Sequence, residues 1–131
     1  MKKCPFCADG FLERKTILET YEYKGQTLTV KQAGDYCNAC DEGILSGKDL
    51  QETQKQIHDF HAKIDGLLTS DEIRTIRKKL KLTQKQAALI FGGGANAFSR
   101  YERGEAMPLR ATVNLLKILD KHPEQLQEIL E

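Results

Sequence analysis

Four cysteines in two close pairs constrain this chain more than any other feature. Cys4-Pro-Phe-Cys7 and Cys37-Asn-Ala-Cys40 are both C-x₂-C, and 29 residues separate them. Two intervening residues let both sulfurs of one turn converge on a single metal ion, and two such turns complete a tetrahedron. Zn²⁺ takes four thiolates at roughly 2.3 Å with no open position, so such a site is structural and offers no catalytic water. Metal-binding free energy then becomes folding free energy, on the order of 10 kcal/mol in small zinc modules. One structural Zn²⁺ per chain is expected on Cys4, Cys7, Cys37 and Cys40. The alternatives are two redox C-x-x-C pairs and a rubredoxin-like iron site. Redox pairs usually open a helix, whose dipole lowers a thiol pKa, and neither pair here opens a convincing one. The gap exceeds the roughly 15–20 residues of the commonest two-knuckle pattern, and a β hairpin would fill it. His58 and His61, spaced i, i+3, are read as solvated or packing residues.

Composition is that of an ordinary soluble chain: 131 residues, 40% hydrophobic, 30% charged, formal net charge +1. The distribution of charge is more informative. Residues 1–66 carry 9 Lys/Arg against 11 Asp/Glu, and residues 67–131 carry 11 against 8. The second half is therefore basic and the first acidic. No apolar run approaches the roughly 20 residues needed to span a bilayer. The start, MKKCPFC, lacks the apolar stretch of a secretory signal. A cytoplasmic location is expected, and there clustered cysteines favour metal over disulfides.

The chain changes character along its length. LERKTILETYEY and QTLTVKQAGDYC read as strands, with Lys24-Gly25 between them as a hairpin turn. From Lys48 the pattern is helical, with Leu50, Gln54, Ile57, His61 and Ile64 near one face. A linker is expected at about Asp65–Ser70, dividing a domain at 1–66 from one at 67–131. The second reads as successive helices. Thr69 with Glu72 and Thr83 with Gln86 are capping boxes, opening helices at about 70–80 and 83–91. Ile73, Ile76 and Leu80 share the inner face of the first, and Ala87, Leu89 and Ile90 are expected on that of the second. A helix at about 95–103 follows, then ATVNLLKILDKH after Pro108, stopped at Pro123, and a short last helix, EQLQEIL. The fold class expected is α+β: a small β-rich metal-binding domain with a helix, then an all-α domain of five helices. At about 65 residues each, both are near the lower limit for a self-supporting core. The second has apolar residues enough, whereas the first needs a staple.

Three consecutive glycines, Gly92 to Gly94, precede the third helix of the second half. A phosphate-cradling loop would need G-x-x-x-x-G-K-[ST] after a strand; here a helix comes before and no Lys-Ser/Thr follows. The layout is instead that of a helix-turn-helix, two short helices joined by a glycine-containing turn. Phe98 and Tyr101 would pack inward. Asn96, Arg100 and Arg103 share the outer face. Asn pairs in bidentate fashion with adenine and Arg with guanine, so Asn96 and Arg100 are the candidate base readers in a major groove. Thr83, Gln84, Ser99 and Arg103 are candidates for phosphate contacts. Glu102 lies beside the reading face and would be repelled by DNA unless paired; Arg77 is its candidate partner in a structural salt bridge.

The stretch IRKKLKLTQKQAALIFGGGANAFSRYERGEAMP resembles the Xre/Cro-type helix-turn-helix in its Leu-Thr-Gln opening and Ser-x-x-Glu-x-Gly close. More narrowly, the four-cysteine half joined to FGGGANAFSRYERG and LLKILDKHPE looks like the MqsA (YgiT) family of zinc-containing antitoxins, over essentially the whole chain. The resemblance implies a bacterial antitoxin, not an enzyme. Its zinc domain would bind and neutralise a ribonuclease toxin of the MqsR type. Its C-terminal domain would form a homodimer on double-stranded DNA, binding a palindromic operator and repressing its own operon. The family's zinc ligands map to Cys4, Cys7, Cys37 and Cys40, and its base readers to Asn96 and Arg100. A second reading is a stand-alone transcription regulator whose zinc domain is a sensor. A thiol enzyme is disfavoured, since no acid/base constellation is present.

Overall fold

The computed structural model describes residues 2–130 and divides into two compact units between Gln54 and Lys55. In the first, β1 (Leu12–Tyr23) and β2 (Gln26–Cys37) pair antiparallel without a break, from Leu12↔Cys37 to Tyr23↔Gln26. The two-residue turn between them has φ of 48° at Lys24 and 80° at Gly25. Positive φ at both central residues is the primed turn whose twist matches that of the strands. A short β3 (Gly43–Ile44) pairs antiparallel with β2, giving the sheet order β1-β2-β3. Helix α1 (Gly47–Ile64) follows and runs through the boundary between the units.

Side chains alternate along β2. Val30, Gln32, Gly34 and Tyr36 are buried, while Thr29 and Lys31 are exposed, the period of a sheet with one covered face. Apolar burial in this unit is thin: among the described residues its buried hydrophobics are Val30, Tyr36, Cys4 and Cys37, two of them cysteines. Much of the remaining interior is polar and fully bonded. Gln32 Nε2 donates to the carbonyl of Asp49 (3.0 Å), and Gln32 Oε1 accepts from Thr53 Oγ1 (2.6 Å). Asp49 accepts from the backbone N–H of Ser46 (2.9 Å), while its own N–H donates to Ser46 Oγ (3.1 Å). This is a reciprocal cap at the start of α1. Arg14 closes over Asp49 with both terminal nitrogens. The apolar stripe read on α1 is therefore not what its first half buries. Leu50 and Gln54 are exposed, and Asp49 and Thr53 are inside, because the groups that β2 presents there are polar.

The second unit is helical: α2 (Ser70–Lys79), α3 (Gln84–Phe91), α4 (Ala97–Glu102), α5 (Arg110–Lys121), a 3₁₀ turn (Pro123–Gln125) and α6 (Leu126–Leu130). Its core gathers Leu68, Ile73, Ile76, Leu80, Ala87, Ala88, Phe98, Val113, Leu116, Leu119 and Leu126. Both expected capping boxes are present, at Thr69/Glu72 and Thr83/Gln86. Asp59 adds a further cap to α2, accepting from Ser70 N–H (2.8 Å) and Ser70 Oγ (2.9 Å). One expectation is corrected. Leu89 is 87% exposed rather than inward, and Ala88 is buried in its place. An eight-residue helix is too short for periodicity to separate adjacent faces.

Candidate metal centre and nucleic-acid interface

Both cysteine pairs lie on tight turns. Cys4 and Cys7 occupy the N-terminal loop, which is held by Cys4 N–H donating to Gly10 O (3.0 Å) and Leu12 N–H to Lys2 O (2.8 Å). Cys37 ends β2, and its N–H donates to Glu42 O (2.8 Å) across the second turn. Asn38 ties the turns together: its N–H donates to Phe11 O (3.1 Å), and its Oδ1 accepts from Phe11 N–H (3.0 Å). The four Sγ atoms lie within 4.8 Å of one another, with Cys4–Cys40 and Cys7–Cys37 each at 3.6 Å. Four sulfurs around Zn²⁺ at roughly 2.3 Å would be about 3.8 Å apart, so the donor set and its spacing fit such an ion. Gly10 is required here, since a Cβ would stand 2.6 Å from Cys37 Sγ. Backbone N–H groups already point at the sulfurs: Phe6 N at Cys4 Sγ (3.4 Å), Ala39 N and Cys40 N at Cys37 Sγ (3.3 and 3.4 Å). The N–H groups of Cys40 and Ala39 hold the Cys37 thiol down to about 7, favouring the thiolate that binds metal. Together the four cysteines can hold a metal ion.

In the second unit, α3, the glycine turn and α4 form the helix-turn-helix. Gly92, Gly93 and Gly94 have φ of 85°, 98° and 94°, a left-handed run that reverses the chain between the helices. At Gly93 a Cβ would also stand 2.8 Å from Tyr101 Oη and 2.9 Å from Ala97 Cβ. Phe98 is fully buried, with rings of Phe91 and Tyr101 at 5.6 and 5.3 Å. The angle between helices is locked by charge as well as by packing. Arg77 of α2 donates from Nε to Glu102 Oε2 (2.7 Å) and from a terminal nitrogen to Glu102 Oε1 (2.9 Å). Its other terminal nitrogen donates to Leu82 O (2.9 Å) in the turn before α3. The pair is largely enclosed, with the Glu102 side chain only 4% exposed. The Glu102 carboxylate raises the Arg77 guanidinium pKa.

The opposite side of α4 is open. Asn96 occupies its N-cap position without a side-chain cap hydrogen bond, and Asn96 and Arg100 are both exposed. Among the described residues neither side chain has a hydrogen-bond partner. Thr83 is exposed at the start of α3, its oxygen accepting from Gln86 N–H (3.1 Å). Ser99 is half-buried. The exposed Arg103 reaches Glu105 (3.0 Å). Gln84 lies elsewhere than a purely outward position: its Nε2 donates to Glu102 Oε1 (3.3 Å), joining the buried lock. The structure thus brings Arg77, Glu102 and Gln84 together, and leaves Asn96 and Arg100 on the outer face. Two groups were not read from sequence. Ser46-x-x-Asp49 is a capping signal visible in the chain, whereas the Gln32–Thr53 bond has no local signature.

A four-thiol knuckle pair in one unit and a helix-turn-helix in the other define a two-part helix-turn-helix protein. The whole of residues 1–130 matches the family model described as the antitoxin component of a bacterial toxin-antitoxin system, MqsA. The chain belongs to the MqsA antitoxin family. It is 43% identical to Antitoxin MqsA of Escherichia coli (strain K12) over 129 residues, covering 97% of this chain and 98% of that protein. It is 30% identical to Antitoxin HigA-2 of Vibrio cholerae over 90 residues, covering 67% of this chain and 86% of that one. Among solved structures, the N-terminal domain of the E. coli protein MqsA matches with TM-score 0.43 and 26% identity, over 50% of this chain and 98% of that one. No helix among the described residues is long and apolar enough to cross a membrane.

Proposed function

We propose that this antitoxin acts through two separate surfaces in the cytoplasm, as a binding protein rather than an enzyme. The domain at 1–66 holds one structural Zn²⁺ on Cys4, Cys7, Cys37 and Cys40 and neutralises a ribonuclease toxin of the MqsR type. The domain at 67–131 dimerises and places two copies of α4 in successive major grooves of a palindromic operator, about one helical turn apart, repressing its own operon. Asn96 and Arg100 read bases. Thr83, Ser99 and Arg103 contact phosphates; so does Gln84, with the amide hydrogen not directed at Glu102. Arg77 and Glu102 hold the helices at the reading angle. The zinc supplies a cross-link between two turns and no reaction chemistry.

The observation that supports this reading most is the division of α4 into two faces. Phe98 and Glu102 are buried on one, and Asn96 and Arg100 are exposed on the other, without partners among the described residues. An Asn and an Arg one turn apart on such a helix suit adenine and guanine edges. The test is binding of full-length variants to DNA upstream of the operon and to scrambled DNA across a salt series. Asn96→Ala and Arg100→Ala should each cost roughly 1–3 kcal/mol on the operator and relax specificity at one position per half-site. Arg103→Ala should weaken both DNAs alike and lower the salt slope by about one. Equal losses on both DNAs for Asn96→Ala and Arg100→Ala would refute their role as readers. Co-purification of the neighbouring reading frame's product with residues 1–66 tests the toxin surface; retention by the C-terminal half alone would overturn that assignment.

A further inference from the structure

Between α3 and the turn residues that precede Asn96 in the chain lies a shallow groove of about 290 Å³, lined by Lys85, Ala88 and Leu89 of α3 and by Gly94 and Ala95 of the turn. Leu89 is 87% exposed there. A single exposed leucine is ordinary. This one differs in its surroundings, because every other lining residue except Lys85 is alanine or glycine and none carries a carboxylate. The turn keeps the floor open: a Cβ on Gly94 would meet nothing within 4 Å, and Ala95 is exposed. An uncharged floor with one cation at its side complements a nucleotide, an apolar group on the base and an anion on the backbone. In the major groove only thymine presents an apolar substituent, its 5-methyl, and it lies on the same base-pair edge as adenine N6 and N7. An Asn96 amide engaged with adenine therefore brings a thymine methyl of the same or the adjoining step within reach of Ala95 and Leu89.

We propose that this groove is a thymine-methyl subsite, in which Leu89 and Ala95 read a T in each half-site and Lys85 contacts the flanking phosphate. It rests on the reading of α4 as the base-reading helix, and adds a hydrophobic specificity determinant on α3.

The probe is a duplex selected from a randomised pool by the full-length chain, remade with each thymine replaced in turn by deoxyuridine, which lacks only the methyl. For the unmodified chain, one replacement per half-site should weaken binding about fourfold, as expected for one buried methyl, and the others should not. Leu89→Ser should bind the thymine duplex more weakly and lose the response to deoxyuridine at that position. Its fold should hold because the side chain is exposed, and a thermal melt checks this. The proposal is overturned if every deoxyuridine duplex binds like its parent, or if Leu89→Ser keeps the full methyl response. It is equally overturned if Leu89→Ser leaves DNA binding intact and abolishes toxin capture, since the groove would then serve a protein partner. Asn96→Ala separates the two levels. Lost sequence discrimination in that variant, with no methyl effect in the unmodified chain, leaves base reading standing and removes this subsite. Failure of the pool to yield any preferred sequence removes both.

Discussion

Two buried carboxylates are held by arginines, and each makes a measurable prediction. Glu102 is enclosed and carries two hydrogen bonds from Arg77 and one from Gln84. Removing one partner of a buried pair leaves an uncompensated charge, so Arg77→Met should cost about 3–5 kcal/mol in chemical denaturation of the second unit. Adding Glu102→Leu to that variant should restore much of the loss; no recovery would mean that Arg77 acts through Leu82 O instead. Asp49 is the second case. Its hydrogen bonds from Arg14 and from Ser46 N–H hold its carboxyl well below the usual carboxylate range. Because the folded pKa is depressed, the stabilisation is complete above the unfolded value of about 3.9 and is lost as pH falls below it. The melting temperature of the first unit should therefore drop as pH falls below about 4, and the drop should be smaller in Asp49→Asn. Acid would also release a metal held by the four cysteines, so the difference between the two proteins is the quantity to read.

At the scale of elements, the glycine turn separates strain from overlap. Gly94 has φ of 94° with open space around its Cβ position, whereas Gly93, at 98°, would collide with Tyr101 and Ala97. Gly94→Ala should cost about 1–2 kcal/mol from left-handed strain alone. Gly93→Ala should cost roughly 2–4 kcal/mol and also tilt α4, because overpacking adds to the strain. Thermal melts and operator affinity of the two variants check this; equal effects would mean that the packing of Gly93 is irrelevant. The elements themselves were largely legible. Strand limits followed β-branched runs bounded by turn residues, and both boxes of α2 and α3 followed Thr-x-x-Glu and Thr-x-x-Gln. Leu89 was not legible as a surface residue. Over eight residues a 3.6 period leaves Ala87, Ala88 and Leu89 within one turn, and only the packing of the helical core, which takes Ala87 and Ala88, decides which two are covered.

The whole molecule joins a unit with almost no apolar interior to one with a continuous core. On the proposed zinc reading, removing the metal with a strong chelator should unfold the first, since such a staple is on the order of 10 kcal/mol, and leave the helical unit folded. Retention of the sheet's amide protection without metal would contradict this. The units divide between Gln54 and Lys55, and the last turns of α1 belong with the helices through Ala62 and the Asp59 cap. A fragment 55–131 should therefore be more stable than 67–131 by at least roughly 1 kcal/mol, the value of a helix cap. Equal melting of the two fragments would show that α1 contributes nothing to the helical core.

What the chain determined alone was local. Cysteine spacing, the Lys24-Gly25 turn, the capping boxes and the two faces of α4 each arise from residues a few positions apart, where backbone geometry leaves few alternatives. Tertiary structure decided which polar groups go inside. Gln32 finds Thr53, Arg14 finds Asp49 and Gln84 turns to Glu102 across 21, 35 and 18 positions. A buried polar group is tolerated only where its partner waits, and no sequence period announces a partner brought near by the fold.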